Sequence, residues 1–353
     1  MMMRLGASLG MLLVSGAVCA ARAESSSAGE VDFIGPNDRV VFLGDSITHG
    51  GAYGEYVNLF YATRYPGSDR WFSNSGWSGA SLPQGIASVN EDIVAKAPTV
   101  VTVFYGMNDS GSQESWPADS PDFPGRSARK LREYETNYTN LLALIAAKAK
   151  SPRIVYVTPS PYDQTCNDRG KTVATRKNDV MGMMAEWVKA RAAAEGAPCA
   201  DLYGSLMRVN ARGQAKDPAF SVLRQGSDGS GRLDRVHPGP FGHMLFLDAF
   251  VRAFHAPGLV DEIAASAGGR RSCAFVCRAR ALPFPADANM ARAYGHCSFV
   301  DDFNREILRI RDLVPGTYRV TADGREIGRW TAGQLGAAST SRPTRRRRSI
   351  SRR

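Results

Sequence analysis

The sequence lacks a second long apolar run beyond its first two dozen residues. The opening stretch, MMMRLGASLGMLLVSGAVCAARA, combines a lone Arg4, an apolar segment centred on residues 12–18 and a small-x-small end at residues 21–23. Such a segment is too short to cross a bilayer and is typical of a secretory signal peptide. We therefore expect a leader over residues 1–23, cleavage before Glu24, a secreted or periplasmic protein, and no transmembrane span.

The folded part also lacks a surplus of charge of one sign. The formal net charge is +10, but two arginines of the leader and seven arginines of the acid-free C-terminal end supply nine of these charges, leaving +1 elsewhere. Nucleic-acid binding needs a basic face on the fold itself, so no nucleic-acid partner is expected. Residues 337–353 are low-complexity and predicted to be disordered. This basic tail is either a solvated end, an altered reading frame, or an anchor to anionic surfaces.

Paired CxxC motifs are absent, and cysteines are few. Without Cys19 of the leader five remain, an odd number for a compartment expected to be oxidising. Three crowd the C-terminal region, where we expect one disulfide between Cys297 and either Cys273 or Cys277. The same cysteines with His296 are the alternative, a zinc site, which the lack of a second CxxC-like pair disfavours.

Short β-branched runs alternate with helical patterns through the first two thirds of the chain. The predicted strands are Arg39–Leu43, Trp71–Ser75, Thr99–Tyr105, Arg153–Thr158 and a weak fifth at Ala200–Tyr203; the predicted helices are Tyr53–Thr63, Val89–Ala97, Ala128–Lys150, Thr175–Gly196 and Phe241–Phe254. Strict alternation favours a parallel sheet covered on both faces, a three-layer α/β/α sandwich of the flavodoxin-like kind over residues 31–258. Ligands bind such sheets at the carboxyl ends of the strands.

The remaining segments have a different character. Cys166 follows the fourth strand and Cys199 begins the fifth, so a strand's length of roughly 17–20 Å should separate them and they should not pair. Residues 208–233 are polar and Gly-rich, and we expect a long connection that is functional or mobile. Residues 264–336 are predicted to form a small β-rich appendage, in which Asp323-Gly324 is a hairpin signal.

Four short polar segments fall where ligands would bind this sheet. They are Gly44-Asp45-Ser46 after the first strand, Asn74–Ala80 after the second, Gly106–Asp109 after the third, and Asp234–His237 before the last helix. A serine hydroxyl is a weak nucleophile until a base removes its proton, and histidine has the pKa suited to that task near neutrality. An aspartate three residues before the histidine is close enough to orient its ring.

In combination, these segments resemble the SGNH (GDSL-type) hydrolase family over roughly residues 38–255. The resemblance implies that Ser46 is the nucleophile, His237 the base and Asp234 the residue that orients it. It also implies an oxyanion site formed by the backbone N–H groups of Ser46 and Gly79 and the side-chain amide of Asn108, with Gly76 as the alternative to Gly79.

The nucleophile motif lacks the second glycine of G-x-S-x-G, and its serine follows the first strand and not a later one, which disfavours the α/β-hydrolase elbow. Several residues in or near the four polar segments are assigned structural roles. Asp45 and Asp109 are expected to bond turn amides, and His243 to be packed or capping. His49 either lines the site or is bonded within its turn. Trp77 is either a wall of the substrate pocket or a core residue.

These observations predict a secreted serine esterase that hydrolyses carboxylic esters through an acyl-serine intermediate. Acetylated carbohydrate is the leading substrate class, by analogy with the family, and the partner is a small-molecule or polysaccharide ester. The alternatives are a lysophospholipase or thioesterase of the same family and a catalytically silent carbohydrate-binding module. Neither a metal nor an organic cofactor is implied.

Overall fold

The computed structural model describes residues 2–6, 31–225, 233–276, 281–337 and 339–340, which fall into two compact units. The first unit comprises Val31–Ala256 together with Pro285–Ser298, and the second comprises the other described residues. Residues 285–298, assigned to the β-rich appendage by sequence, thus cluster with the first unit. The leader beyond residue 6, Cys277 and the arginine-rich end from residue 341 lie outside the described residues.

A five-stranded parallel sheet forms the centre of the first unit. Its strands are β1 (Arg39–Gly44), β2 (Trp71–Gly76), β3 (Val100–Phe104), β4 (Arg153–Val157) and β5 (Cys199–Ala200). The strand order is β2-β1-β3-β4-β5, the order of flavodoxin-like folds. All neighbouring pairs are parallel, so every strand ends at the same edge. The parallel α/β sheet expected from sequence is confirmed.

Nine α-helices lie in the described part of this unit. They are α1 (Ser46–His49), α2 (Ala52–Arg64), α3 (Leu82–Ala87), α4 (Val89–Asp92), α5 (Phe123–Lys148), α6 (Lys177–Glu195), α7 (Leu202–Gln214), α8 (Pro240–Ala253) and α9 (Ala288–Ala291). Helix α5 begins five residues before the predicted start, because Pro124 occupies its first turn, where a missing N–H costs nothing.

Helices cover both faces of the sheet. Successive side chains of a strand point to opposite faces, so neighbouring residues of one strand contact different helices. Val41 and Leu43 of β1 belong to the core that contains Tyr134 and Tyr138 of α5. Phe42 points the other way. Its ring packs edge-on against Tyr53 of α2 and Phe250 of α8, at centroid distances of 5.6 and 6.0 Å. The layers are therefore helix, sheet and helix.

The sequence assignment was wrong around the fifth strand. That strand is only Cys199–Ala200, and the predicted strand residues 202–203, with residues 208–214 of the predicted connection, lie in α7. Asp201 caps the helix by accepting the N–H of Gly204 at 2.9 Å. The polar residues inside α7 are satisfied by tertiary contacts, as when Asn210 Oδ1 accepts the Val222 N–H at 2.9 Å.

The second unit is rich in strands, as predicted. They are the N-terminal strand Met2–Gly6, β6 (Leu259–Ser266), β7 (Ser272–Val276), β8 (Arg305–Arg311), β9 (Thr317–Ala322), β10 (Arg325–Thr331) and β11 (Ser339–Thr340), with helices α10 (Phe299–Phe303) and α11 (Ala332–Gly336). The four-stranded sheet has the order β10-β9-N-terminal strand-β7, and the three-stranded sheet has the order β11-β8-β6. The N-terminal strand falls inside the predicted leader, which stays a prediction.

A tight hairpin joins β9 to β10 where the sequence predicted one. Asp323 and Gly324 have φ values of 49° and 80°, and a type I′ turn requires positive φ at both positions. Elsewhere, Cys166 and Cys199 are free thiols, as expected. The predicted pairing of Cys297 stays a prediction. None of the helices that the structure describes is long and apolar enough to cross a membrane.

Glycine at position 76 is required because β2 meets α1 there. A Cβ on Gly76 would overlap the backbone nitrogen of His49, whereas a Cβ on Gly50 would come no closer than 3.7 Å to the Ser46 carbonyl oxygen. We expect Gly76→Ala to lower the free energy of unfolding by about 1–3 kcal/mol, through overpacking. Gly50→Ala is the control and should change it by less than about 0.5 kcal/mol. Urea denaturation measures both, and equal stability of the two variants would contradict the packing at this junction.

Candidate active site

Ser46 lies at the carboxyl end of β1, as the first residue of the one-turn helix α1. The preceding Asp45 caps this helix by accepting the Ile47 N–H at 2.9 Å. Gly44 leaves the strand where a Cβ would overlap the Thr48 side chain and lie 2.7 Å from the Phe104 carbonyl oxygen. The short strand therefore delivers Ser46 on a tight turn at the edge of the sheet.

Three side chains from distant segments form one hydrogen-bonded chain at this edge. Ser46 Oγ lies 2.8 Å from His237 Nε2, and His237 Nδ1 lies 2.6 Å from Asp234 Oδ2. An ionised carboxylate only accepts hydrogen bonds, so Nδ1 carries the ring proton and Nε2 accepts the Ser46 hydroxyl. The structure brings together the three residues that the sequence predicted to be catalytic.

Asp234 has hydrogen-bond partners besides the His237 ring. Its Oδ1 accepts the backbone N–H groups of Val236 and His237 at 3.0 and 2.8 Å, and its Oδ2 accepts the Gln225 amide at 2.6 Å. Burial pushes the pKa of this carboxyl upward, but the hydrogen bonds from the His237 ring and from the two backbone groups outweigh it and lower the pKa. Sequence reasoning missed Gln225, because a glutamine in a polar connection gives no signal of its own.

The pKa values of the two histidines of this region, His237 and His243, are shifted in opposite directions. The hydrogen bond to Asp234 raises the pKa of His237 above its usual value, and partial burial only reduces the effect. His243 is buried within α8, and its ring stacks on Tyr53 at a centroid distance of 6.2 Å. Burial lowers its pKa to about 3. His243 is thus a packed neutral residue, as predicted.

A β-turn holds Gly79 at the edge of the sheet where Ser46 lies. The Ala80 N–H donates to the Trp77 carbonyl at 3.0 Å, and Gly79 is the third residue of this turn with a φ of 80°, the sign that a type II turn needs and that favours glycine. The Trp77 N–H donates to the Gly44 carbonyl at 3.0 Å, which ties the turn to the end of β1. Among the described residues, the Gly79 N–H has no hydrogen-bond acceptor.

Gly76, the alternative to Gly79, is placed differently. Its N–H donates to Asn74 Oδ1 at 2.7 Å, and the Asn74 amide in turn donates to the Thr48 carbonyl at 2.6 Å. The Gly76 N–H is therefore already bonded within its own loop, and the lack of a side chain at this position leaves room for α1. The geometry favours Gly79 as the donor that is open to a ligand.

Asn108 lies in the loop after β3, at the same edge of the sheet. Its Nδ2 donates to the Ala80 carbonyl at 2.8 Å, which fixes the amide against the end of the Gly79 turn. A primary amide has a second N–H, which this bond leaves unused. The next residue, Asp109, accepts the Leu82 N–H at 2.9 Å. Two consecutive residues thus tie this loop to the segment that follows Gly79.

Asp45 and Asp109 are buried carboxyl groups close to this chain. Burial raises the pKa of Asp45 to about 7 and that of Asp109 to about 6, although each accepts backbone N–H bonds. Both bind turn amides, as the sequence predicted. His49 also has a turn partner, since its Nδ1 lies 3.1 Å from the Gly76 carbonyl. In the residues that the structure describes, no group of three or more His, Cys, Asp or Glu side chains is placed to hold a metal ion.

Trp77 is neither core nor covered. Its side chain is 57% exposed, on the same turn as Gly79, whereas Tyr105 and Met107 nearby are buried. Lys177, which the sequence did not single out, is buried beneath the loop that carries Asn108. Neither environment has a signal in sequence, because exposure and burial of single residues in connections depend on tertiary packing.

Comparisons with known proteins bear on the family and the fold of the chain. Residues 42–245 match the sequence profile of the GDSL-like Lipase/Acylhydrolase family. An acetylxylan esterase of Geobacillus stearothermophilus is 25% identical over 235 residues, which are 62% of this chain and 94% of that enzyme. The structure of a gut microbial diltiazem-metabolizing enzyme is 28% identical with a TM-score of 0.73, covering 89% of this chain and 74% of that one.

The opposite shifts of the two histidines can be measured directly by NMR. We expect the His237 ring to titrate above pH 6.5, because Asp234 stabilises the imidazolium, whereas His243 stays neutral down to about pH 4. Asp234→Asn removes the stabilising carboxylate, so the His237 pKa should fall. A His237→Gln spectrum assigns the resonance. A His237 pKa that is the same with and without Asp234 would show that the pair is not formed in solution.

Proposed function

The chain belongs to the GDSL-like lipase/acylhydrolase family, and on that premise we propose that it is an exported esterase that removes acetyl groups from carbohydrate. It is a carboxylic ester hydrolase. One observation carries the mechanism: the 2.8 Å and 2.6 Å contacts that link Ser46, His237 and Asp234. The Gly79 N–H, which has no acceptor among the described residues, lies at the same edge of the sheet, in a turn bonded to Gly44.

Acylation begins at the Ser46 hydroxyl. His237 Nε2 takes the hydroxyl proton while Ser46 Oγ attacks the acyl carbonyl carbon, and Asp234 stabilises the imidazolium that forms. The tetrahedral intermediate collapses when His237 gives this proton to the oxygen of the leaving alcohol. A water molecule, activated by the same imidazole, then hydrolyses the acyl-serine and restores the enzyme.

The developing oxyanion requires N–H donors that are in place before the reaction. The Ser46 N–H stands at the first position of α1, where no intrahelical acceptor exists. With the Gly79 N–H and the second N–H of Asn108, three donors converge on one edge of the sheet. A preorganised donor of this kind typically contributes about 2.7–4 kcal/mol to lowering the barrier.

Trp77 supports a ring-shaped alcohol as the leaving group. Both backbone groups of this residue are bonded, to Gly44 and to Ala80, so a rigid turn holds an exposed indole near the nucleophile. Exposing a large aromatic ring has a free-energy cost unless a ligand covers it. The apolar face of a pyranose ring is a suitable cover, and the similarity to an acetylxylan esterase points to the same substrate class.

Export and envelope binding complete the proposal. They are supported by the leader pattern of residues 1–23 and by the arginines that follow residue 341. Intact-mass analysis of protein recovered from the culture medium or periplasm should show a chain that begins at Glu24. Retention of the full leader on protein that stays in the cytoplasm would contradict export.

Ser46→Ala tests the reaction itself. We expect the hydrolysis of p-nitrophenyl acetate to fall by at least about 10⁴-fold, because the variant has no nucleophile. Ser151→Ala, at an exposed serine just before β4 and so at the opposite edge of the sheet, is the matched control and should retain the wild-type rate. Indistinguishable rates for Ser46→Ala and wild type would point instead to a silent binding module.

Acetate release from acetylated xylan, compared with cleavage of lysophospholipid and long-chain p-nitrophenyl esters, tests the substrate class. We expect release from xylan to dominate. Preference for the lipid esters would replace the carbohydrate proposal with a lysophospholipase.

Trp77→Ala tests the carbohydrate contact. Loss of ring stacking should lower kcat/KM for acetylated xylo-oligosaccharides by about 3- to 10-fold. The rate on ethyl acetate, which has no ring, should not change. Leu59→Ala, at another exposed apolar residue, is the control. Equal losses on both substrates would show that Trp77 supports the fold of the turn and does not contact sugar.

A further inference from the structure

Lys177 is a buried cation at the unfavourable end of a helix. It is the first residue of α6, a helix of 19 residues, and is only 5% exposed. The amino end of a helix carries partial positive charge, so a lysine there is destabilising. Burial adds a desolvation cost and lowers the pKa of the ammonium to about 8, which leaves it charged at neutral pH. Contacts elsewhere must offset both costs.

Those contacts are made with the loop that carries Asn108. Lys177 Nζ donates to the Met107 carbonyl at 3.0 Å and to the Gly111 carbonyl, and it lies 5.8 Å from the centre of the Tyr162 ring. Within the described part of the chain, Nζ forms no ion pair with a carboxylate. The ammonium is therefore committed to carbonyl groups on both sides of Asn108.

The residues beside Lys177 bind the next part of the same connection. Thr175 Oγ1 donates to the carbonyls of Gln113 and Trp116, each at 2.9 Å, and the Arg176 N–H donates to the Trp116 carbonyl at 2.8 Å. The start of α6 thus clamps residues 107–116 by main-chain carbonyls. Of these hydrogen bonds, those of Lys177 are made with the part that bears Asn108, against which Met181 of α6 also packs through Met107.

The orientation of the Asn108 amide depends on that backbone. One N–H of the amide is used by Ala80, at 2.8 Å, so the direction of the second follows from where residues 107–111 hold the Cα of Asn108. A displacement of about 1 Å at a catalytic group commonly costs about 10²-fold in rate.

We propose that Lys177 is a positioning residue for the oxyanion site: its ammonium binds the carbonyls of Met107 and Gly111 and thereby holds the Asn108 amide toward Ser46. The inference rests on the proposed function, in which Asn108 donates to the oxyanion. Lys177 acts through Asn108 and does not touch the substrate.

A double-mutant cycle with p-nitrophenyl acetate tests this coupling. Lys177→Met should lower kcat by about 10-fold or more, with KM changed by less than about 3-fold, because only the transition state uses the oxyanion donors. Asn108→Ala alone should cost about 10²- to 10³-fold in kcat. In the Asn108→Ala background, Lys177→Met should cost less than about 3-fold, since no amide remains to be positioned.

Further variants separate positioning from folding. Lys189→Met removes a half-buried lysine from the same helix, where it pairs with Glu186 away from residues 107–111, and should leave kcat unchanged. Lys177→Gln retains an N–H donor, so it should restore part of the loss, and it gives the measurement if Lys177→Met does not fold. The same loss in kcat from Lys177 substitution with and without Asn108 would overturn the inference alone. Full activity of Asn108→Ala would instead overturn the oxyanion assignment in the proposed function.

Discussion

The 2.8 Å hydrogen bond between Ser46 and His237 joins residues 191 positions apart, and the site depends on its closure. Ser46 is fixed by the end of β1, and His237 lies just before α8. The two meet because α8 packs on the sheet face that presents Phe42, where Phe250 contacts both Phe42 and Tyr53. Burial of these aromatic rings fixes α8 on the sheet, and this position sets the distance between Ser46 and His237. An attraction between the serine and the histidine does not set it.

The sheet could be predicted from sequence because its strands and helices have periodic patterns of apolar residues. The position of the site at its edge follows from the same patterns. Buried parallel strands are continuous apolar runs, as in residues 40–43 of β1, and polar segments follow them at the edge where ligands bind. Gly79 was identified only through the family resemblance, with Gly76 as the alternative, and the positive φ of its turn explains why glycine stands there. The residue types in each motif indicated the chemistry of the site. The distances in the structure then showed that these residues lie close together.

The rest could not be predicted because its determinants are tertiary. Helix α7 was missed: its first two residues were assigned to a strand and residues 208–214 to a polar connection, where Gly213 and Asn210 lower helix propensity. Packing of Phe220 against Gly213 and the bond from Val222 to Asn210 override this. Gln225, which bonds Asp234, lies in a polar stretch without pattern. Likewise, only packing distinguishes the buried Lys177 from the other lysines.

Three carboxyl groups lie near the reacting serine, and their environments explain why Asp234 is the one that orients the base. Burial dominates at Asp45 and Asp109 and raises their pKa values to about 7 and about 6, so both carboxyl groups are closer to protonation at neutral pH than an exposed aspartate is. At Asp234 burial acts in the same direction, but the imidazole and two backbone N–H groups reverse it. Of these three carboxyl groups, Asp234 is the one bonded to His237, whose pKa is raised, so the pKa shifts of this pair favour opposite charges. In the proposed mechanism, transfer of the Ser46 proton to His237 therefore creates the positive charge of the imidazolium beside a carboxylate that is already ionised.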